Sequence, residues 1–213
     1  MFKSKAALAA LFPLSLIACS TPNGEITETG VTATRSACPA VAIPAATGDI
    51  TLFNPENSRD ANAIDVVANI TNLRSTCDET GANILTNVTF DVQAQRRDAR
   101  GAREVVLPYF AVVVQGGNQV IAKSMSRVAL RFGDGEPRAS ASASASGQVS
   151  AAAATLPAEI RAQITQRRKP GDPAAAIDPM ADPAVREAVR KTSFEVLVGF
   201  QLTQDQLAYN VTR

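Results

Sequence analysis

From Val41 onward the dominant spacing of apolar residues is two. Ile64, Val66, Ala68 and Ile70 alternate against Asp65, Asn69 and Thr71. Ile84, Thr86, Val88, Phe90 and Val92 alternate against Asn87, Thr89, Asp91 and Gln93. The same period runs through Val128, Leu130 and Phe132, and through Phe194, Val196, Val198, Phe200 and Leu202. Side chains on a strand point alternately to opposite faces, so this spacing predicts strands with one face in a core and the other in water. Residues 105–114 are apolar on both faces and predict a central strand, or one covered on both sides. Clusters containing Gly, Asp and Asn at 97–101, 116–118 and 133–135 separate the runs. These residue types adopt the positive φ that tight hairpins need, and successive hairpins predict an antiparallel meander. About seven or eight such strands predict a mostly β protein, an antiparallel β-sandwich of immunoglobulin-like architecture.

Two stretches break the pattern. Residues 138–150, RASASASASGQVS, alternate Ala and Ser strictly. They read either as a strand with methyls on one face and hydroxyls on the other, or as a low-complexity linker. The turn residues just before them favour the strand. After residue 155 the period changes. Pro157 can open a helix, and Ile160 and Ile164 share a face. Asp182-Pro183 is an N-cap followed by proline, and Glu187 reaches Lys191 one turn on. A small helical, proline-rich insertion is therefore expected at 155–192, returning to the sheet through the strand that begins at Phe194.

The N-terminus follows a different logic. Lys3 and Lys5 precede an apolar run over residues 6–18, interrupted by Pro13. The run falls short of the ~20 residues that a spanning helix needs. A basic start, a short apolar centre and a small residue at its end describe a secretory signal. Leu16-Ile17-Ala18-Cys19 resembles a lipobox, the mark of bacterial lipoproteins. The resemblance covers residues 1–20 alone. It implies cleavage before Cys19, a diacylglycerol thioether on its sulfur and acylation, commonly with palmitate, of its new amine. Ser20 in the following position implies transfer to the outer membrane. The expected layout is a signal peptide at 1–18, a polar flexible tether at 19–37 and one sandwich domain at 38–213.

Composition narrows the chemistry. The chain contains no His and no Trp. Ser-His-Asp and Cys-His catalysis and His-based metal sites are thereby excluded. Without Lys3 and Lys5, 21 − 2 = 19 basic residues face 20 acidic ones, and nucleic acid, which demands a concentrated positive footprint, is not an expected partner. With Cys19 committed to lipid, Cys38 and Cys77 remain, an even pair that predicts a disulfide in an oxidising compartment.

Few side chains stand out as a site. Arg96, Arg97, Arg100 and Arg103 crowd one predicted turn, where Arg could fork onto headgroup phosphates or simply be solvated. Arg167, Arg168 and Lys169, with Met180, offer charge and adaptable apolar contact in the proline-rich loop. Asp172, Asp178 and Asp182 are read as turn and cap residues rather than calcium ligands. Carboxylates such as Asp65 and Glu195, or the Lys123-Ser124 pair, are the groups left for catalysis, and nothing singles them out. The expectation is a non-enzymatic, cofactor-free and metal-free envelope lipoprotein at the periplasmic face of the outer membrane. It would bind or brace another envelope protein. Alternatives are an accessory subunit of a secretion, pilus or transport machine, and a carboxylate-based cell-wall hydrolase.

Overall fold

The structure, a computed structural model, describes residues 25–27, 30–32, 36–166, 171 and 177–212. The expected signal segment, Cys19, Arg167, Arg168, Lys169 and Asp172 lie outside the described residues. The chain divides into two units, 1–35 and 36–213. In the first, β1 (Glu25–Thr27) pairs antiparallel with β2 (Gly30–Thr32), so a stretch expected to be plain tether contains a short hairpin.

The second unit is the β-sandwich that the alternation predicts. Its strands are β3 (Ala40–Ala42), β4 (Asp49–Phe53), β5 (Ile64–Asp78), β6 (Asn83–Arg96), β7 (Arg103–Gln115), β8 (Gln119–Phe132), β9 (Arg138–Ser150) and β10 (Phe194–Phe200). They form two four-stranded sheets, ordered β3-β10-β7-β8 and β4-β5-β6-β9. Pairing is antiparallel except between β3 and β10. The inner faces carry the residues of the two-residue period: Val66, Ala68 and Ile70; Ile84, Val88, Phe90 and Val92; Val128, Leu130 and Phe132; Phe194, Val196, Val198 and Phe200. Residues 105–114 lie in β7, an interior strand of its sheet. Val112 and Val114 on its outer face are buried as well.

The connections differ from a meander. Within the sandwich the β4–β5, β5–β6 and β7–β8 links fold the chain back on a sheet neighbour, the last two as short hairpins. The glycine-rich clusters at 97–101 and 133–135 carry the chain from one sheet to the other, because β6 pairs with β9 and β7 with β8. Turn residues permit a sharp reversal; they do not specify which sheet receives the next strand. The sandwich therefore has two distinct ends. At the entry end lie Ser36–Cys38, the β5–β6 and β7–β8 hairpin tips and the start of the helical segment. The crossing loops lie at the opposite end. β7 has 13 residues, which separates the two ends by about 40 Å.

A disulfide joins Cys38, just before β3, to Cys77 near the end of β5, tying the two sheets together at the entry end. The bridged residues are 39 apart in sequence, and closing such a loop stabilises the fold by about 4 kcal/mol in the chain-entropy account.

The Ala-Ser stretch is strand β9, paired with β6 along its whole length and forming an edge of its sheet. Its alanines are half-buried and its serines exposed. Small inward side chains bring this strand close to the opposite sheet. A Cβ on Gly147 would stand 2.7 Å from Val196 Cγ2 and 3.0 Å from Val113 Cγ2.

Helices follow. The alanine run forms α1 (Ala151–Ala154), earlier than expected, since alanine is the best helix former and Ala151 N–H donates to Ala82 O. Pro157 caps α2 (Ala158–Thr165) rather than opening it, and Ile160 and Ile164 are its half-buried face. Asp182 caps α3 (Pro183–Lys191), accepting from Ala184 N–H at 2.8 Å. Glu187 takes Arg190 at 2.7 Å in preference to Lys191 at 3.6 Å. Gln115 Nε2 donates to Lys191 O at 2.6 Å, fastening α3 to the end of β7. Val185 of α3 is fully buried outside the inter-sheet core, which puts it in a second, outer layer. A last helix, α4 (Gln204–Thr212), was not anticipated. It docks through Tyr209 edge-on to Phe53 and through Asn210, which donates to the carbonyls of Ala46 and Asp49.

Gly147→Val should destabilise the domain by about 1–3 kcal/mol through overpacking, read as a lower denaturant midpoint. Ser146→Val, facing solvent on the same strand, should shift it by less than about 0.5 kcal/mol.

Candidate functional site

The arginine cluster is the densest group of charged side chains that the fold assembles, and it forms the end opposite the chain entry. It begins with β6, whose inward positions run Ile84, Thr86, Val88, Phe90, Val92 and Ala94. The next step of two is Arg96. It points inward and is 2% exposed.

A guanidinium has five donors in a plane and cannot shed its proton, so burying one requires acceptors all round it. Arg96 finds four backbone carbonyls. Nε donates to Glu136 O at 2.9 Å, and Nη1 to Gly101 O at 2.8 Å. Nη2 donates to Ala99 O at 2.6 Å and Gly133 O at 2.7 Å. The guanidinium carbon lies 5.1 Å from the centre of the Phe132 ring, a cation–π contact in a place shielded from water. Two of the carbonyls belong to the 97–101 loop and two to the 133–136 turn. One side chain thus pins two of the crossings between the sheets, β6 to β7 and β8 to β9. Arg96 is accordingly not a surface group, and the reading that placed it among phosphate-facing arginines is corrected.

The other three arginines are exposed but engaged. Arg103 on β7 meets Asp65 on β5 with two parallel bonds of 2.8 and 2.7 Å, a fork that ties the sheets together at this end. Those bonds raise the affinity of Arg103 for its proton. Arg97 donates to the carbonyl of Asn62. Arg100 grips Asp98, two residues back, with Nη2 at 2.7 Å from Oδ2. The Arg100 side chain, then its backbone N–H, hold the Asp98 carboxyl well below the usual carboxylate range. Asp134 Oδ1 accepts from Gly101 N–H at 2.6 Å, joining the two loops again.

Beside this cluster, on the outer face of β5 and β6, is a shallow recess of about 320 Å³. Ala61, Ile64 and Val67 give it an apolar floor, and Asp65, Gln95 and Arg97 give it a polar rim. It is open to solvent and does not enclose a small molecule.

The remaining candidates are dispersed. Met180, expected to be exposed, is half-buried in a single 3-10 turn, Pro179–Ala181. Asp178 and Asp182 accept from the backbone N–H groups of Met180 and Ala184. Asp65 and Glu195 lie toward opposite ends of the sandwich and form no acid–base pair. Lys123 and Ser124 point to opposite faces of β8. The Lys123 ammonium lies 3.0 Å from Gln201 Oε1, and the Ser124 hydroxyl donates to Ala111 O at 3.4 Å. Among the described residues no helix is long and apolar enough to cross a membrane.

No family model, no curated protein and no solved structure matches this chain.

Arg96→Met should destabilise the domain by about 3–5 kcal/mol, because it strands buried carbonyls that were paired to a charge. Arg96→Lys should recover only a fraction, since an ammonium lacks the planar fork. Arg103→Ala should cost no more than about 1 kcal/mol, the range of a partly exposed pair. Urea melts of the three variants check the order. The Asp98 carboxyl has its proton affinity lowered in the folded state. Its contribution to stability is therefore present above the unfolded carboxylate pKa and is lost as pH falls toward the depressed folded value. Carboxyl-detected NMR titration should find Asp98 still ionised at a pH where an ordinary carboxylate has taken up its proton. Arg100→Ala should raise the Asp98 titration part of the way back, because the backbone N–H of residue 100 still donates to the carboxylate.

Proposed function

We propose that the protein is a lipid-anchored module of the bacterial cell envelope, tethered through Cys19 at the periplasmic face of the outer membrane, and that it binds or braces another envelope protein without catalysis. The observation that carries this reading is the lipobox-like run Leu16-Ile17-Ala18-Cys19 behind a short basic and apolar segment. The Cys38–Cys77 disulfide supports it, because such bonds persist in oxidising compartments outside the cytosol. The division of the sandwich into two unlike ends gives the reading a geometry. The chain enters the sandwich at one end. The arginine-rich corner and its recess lie at the other, where a partner has free approach.

One acyl chain holds a protein to a bilayer only marginally, whereas several hold it stably, at about 0.8 kcal/mol per buried methylene. Cys19→Ser should therefore abolish labelling by radioactive palmitate, leave the unprocessed precursor and remove the mature protein from the outer-membrane fraction. Normal maturation and membrane retention of that variant would refute the anchor. Crosslinking and affinity capture from solubilised envelopes, with Arg97→Glu combined with Gln95→Arg as the control, tests the partner-facing corner. A stoichiometric partner lost in the control supports the reading. A partner captured equally well by both forms would move the contact elsewhere.

A further inference from the structure

Eight large apolar side chains of the described residues are conspicuously exposed, and three of them fall within six residues of one strand: Val120 (59%), Ile121 (43%) and Met125 (53%). β8 is an edge strand, and residues 119–127 are exposed on both of its faces. Ladder pairing places Val120 beside Val114, one step from the hairpin tip, and Met125 beside Phe110. A register shift between Val113 and Val114 leaves Ile121 as the extra residue of a bulge, pushed out of the ladder. A sequence under pressure only to keep an edge strand soluble would place charges here.

The position of this patch relative to the chain's entry says what could cover it. β3 and β10 are parallel, with Ala40 beside Glu195, and Glu195 lies beside Val114. The entry point at Ser36–Cys38 is therefore level with the β7–β8 tip. The chain from Cys19 to Ser36 contains the β1–β2 hairpin, whose ends Glu25 and Thr32 are ladder partners. Allowing ~3.5 Å for each other residue and ~5 Å across the hairpin, it reaches at most about 40 Å. That is no more than the length of the sandwich. Turning the domain over would need that reach fully spent along the whole sandwich, whereas the entry end can meet the anchor's own surface at any shorter span.

We propose that the β7–β8 hairpin end, with Val120 and Ile121 foremost and Met125 behind, rests on the bilayer that carries the lipid anchor. This rests on the anchored reading above. The contact is chiefly apolar. At this end Arg190 and Lys191 share Glu187, and the Lys123 ammonium is held by Gln201 Oε1 and the face of the Phe110 ring. Embedding Val120 and Ile121 at the headgroup boundary covers surface that is otherwise wet, with Met125 further back along the strand, and it points the arginine-rich corner away from the membrane.

The absence of Trp makes the test direct. The chain from Cys19 onward, with Cys38 and Cys77 oxidised, has one free thiol, and coupling it to a maleimide lipid in phosphatidylcholine vesicles replaces the biological anchor. Failure of lipidation in cells and failure of docking are then separate results. Val120→Trp should show a blue-shifted emission and strong quenching when the vesicles carry brominated acyl chains. Both effects should persist in high salt. Ile121→Trp provides a second probe on the same tip. Ala102→Trp, at the far end, should be neither shifted nor quenched. The proposal is overturned if the two hairpin probes stay unquenched on vesicles shown by flotation to carry the protein. It is equally overturned if the far-end probe is quenched as strongly. A blue shift that grows with protein concentration in the absence of vesicles would assign the patch to a second copy of the chain instead.

Discussion

The sandwich depends on a single buried cation. Two of the loops that carry the chain between its sheets, at 97–101 and 133–136, meet at one end, and loops of this kind are short of apolar side chains with which to hold one another. Arg96 substitutes for that missing core. Its rigid fork donates to two carbonyls of each of these loops, and the Phe132 ring shields it from water. The arrangement is cooperative. Removing the cation leaves four acceptors without donors, while removing one loop leaves the cation under-solvated in a low-dielectric site. The strands adjoining both crossings inherit their relative placement from this point. Asp65 and Arg103 reinforce it from the surface.

At the other end the same problem has a different solution. There the Cys38–Cys77 bond joins β3 to β5, and α3 is hydrogen-bonded to the end of β7. One end is closed by a cation and carbonyls, the other by a covalent bond and a helical layer. Between them, the sheets approach closely on the β9 side because that strand presents only methyls and a glycine. Tyr109 completes the closure. Its ring stands edge-on to Phe90, and its hydroxyl donates to Ser144 O at 2.8 Å, occupying one carbonyl of an edge strand that would otherwise be open.

Much of this architecture was legible in the alternation of side chains, because burial of one face imposes a period that no other element mimics. The long strands, the two-faced character of β7 and the disulfide all follow from it or from simple pairing. Connectivity was not legible. Glycine, aspartate and asparagine mark a reversal by their backbone freedom, and that freedom is the same whether the chain folds back on its neighbour or crosses to the other sheet. Arg96 was grouped with Arg97, Arg100 and Arg103 by nearness along the chain, although the two-residue period of β6, carried one step past Ala94, sends it inward. α4 had a readable start as well. Thr203 and Gln206 form a reciprocal capping box, each accepting from the other's backbone N–H. The hairpin patch was hidden because an apolar residue on an edge strand looks, in sequence, like any other apolar residue of a strand.

The Ala-Ser run of β9 has one more property. Its packing face is invariant to translation by two residues, so within residues 139–146 every such slip presents the same methyls to the same neighbours. What breaks the symmetry is Gly147, because the place opposite Val113 and Val196 has no room for a Cβ; the Ser142–Asp91 bond does not, since a slip of two residues offers Asp91 another serine. Adding or deleting a whole Ala-Ser unit would therefore leave the inter-sheet distance alone and change only how much strand separates the glycine from the β8–β9 turn. The wall works as a ruler whose length is adjustable in steps of one dipeptide, while its thickness is not adjustable at all.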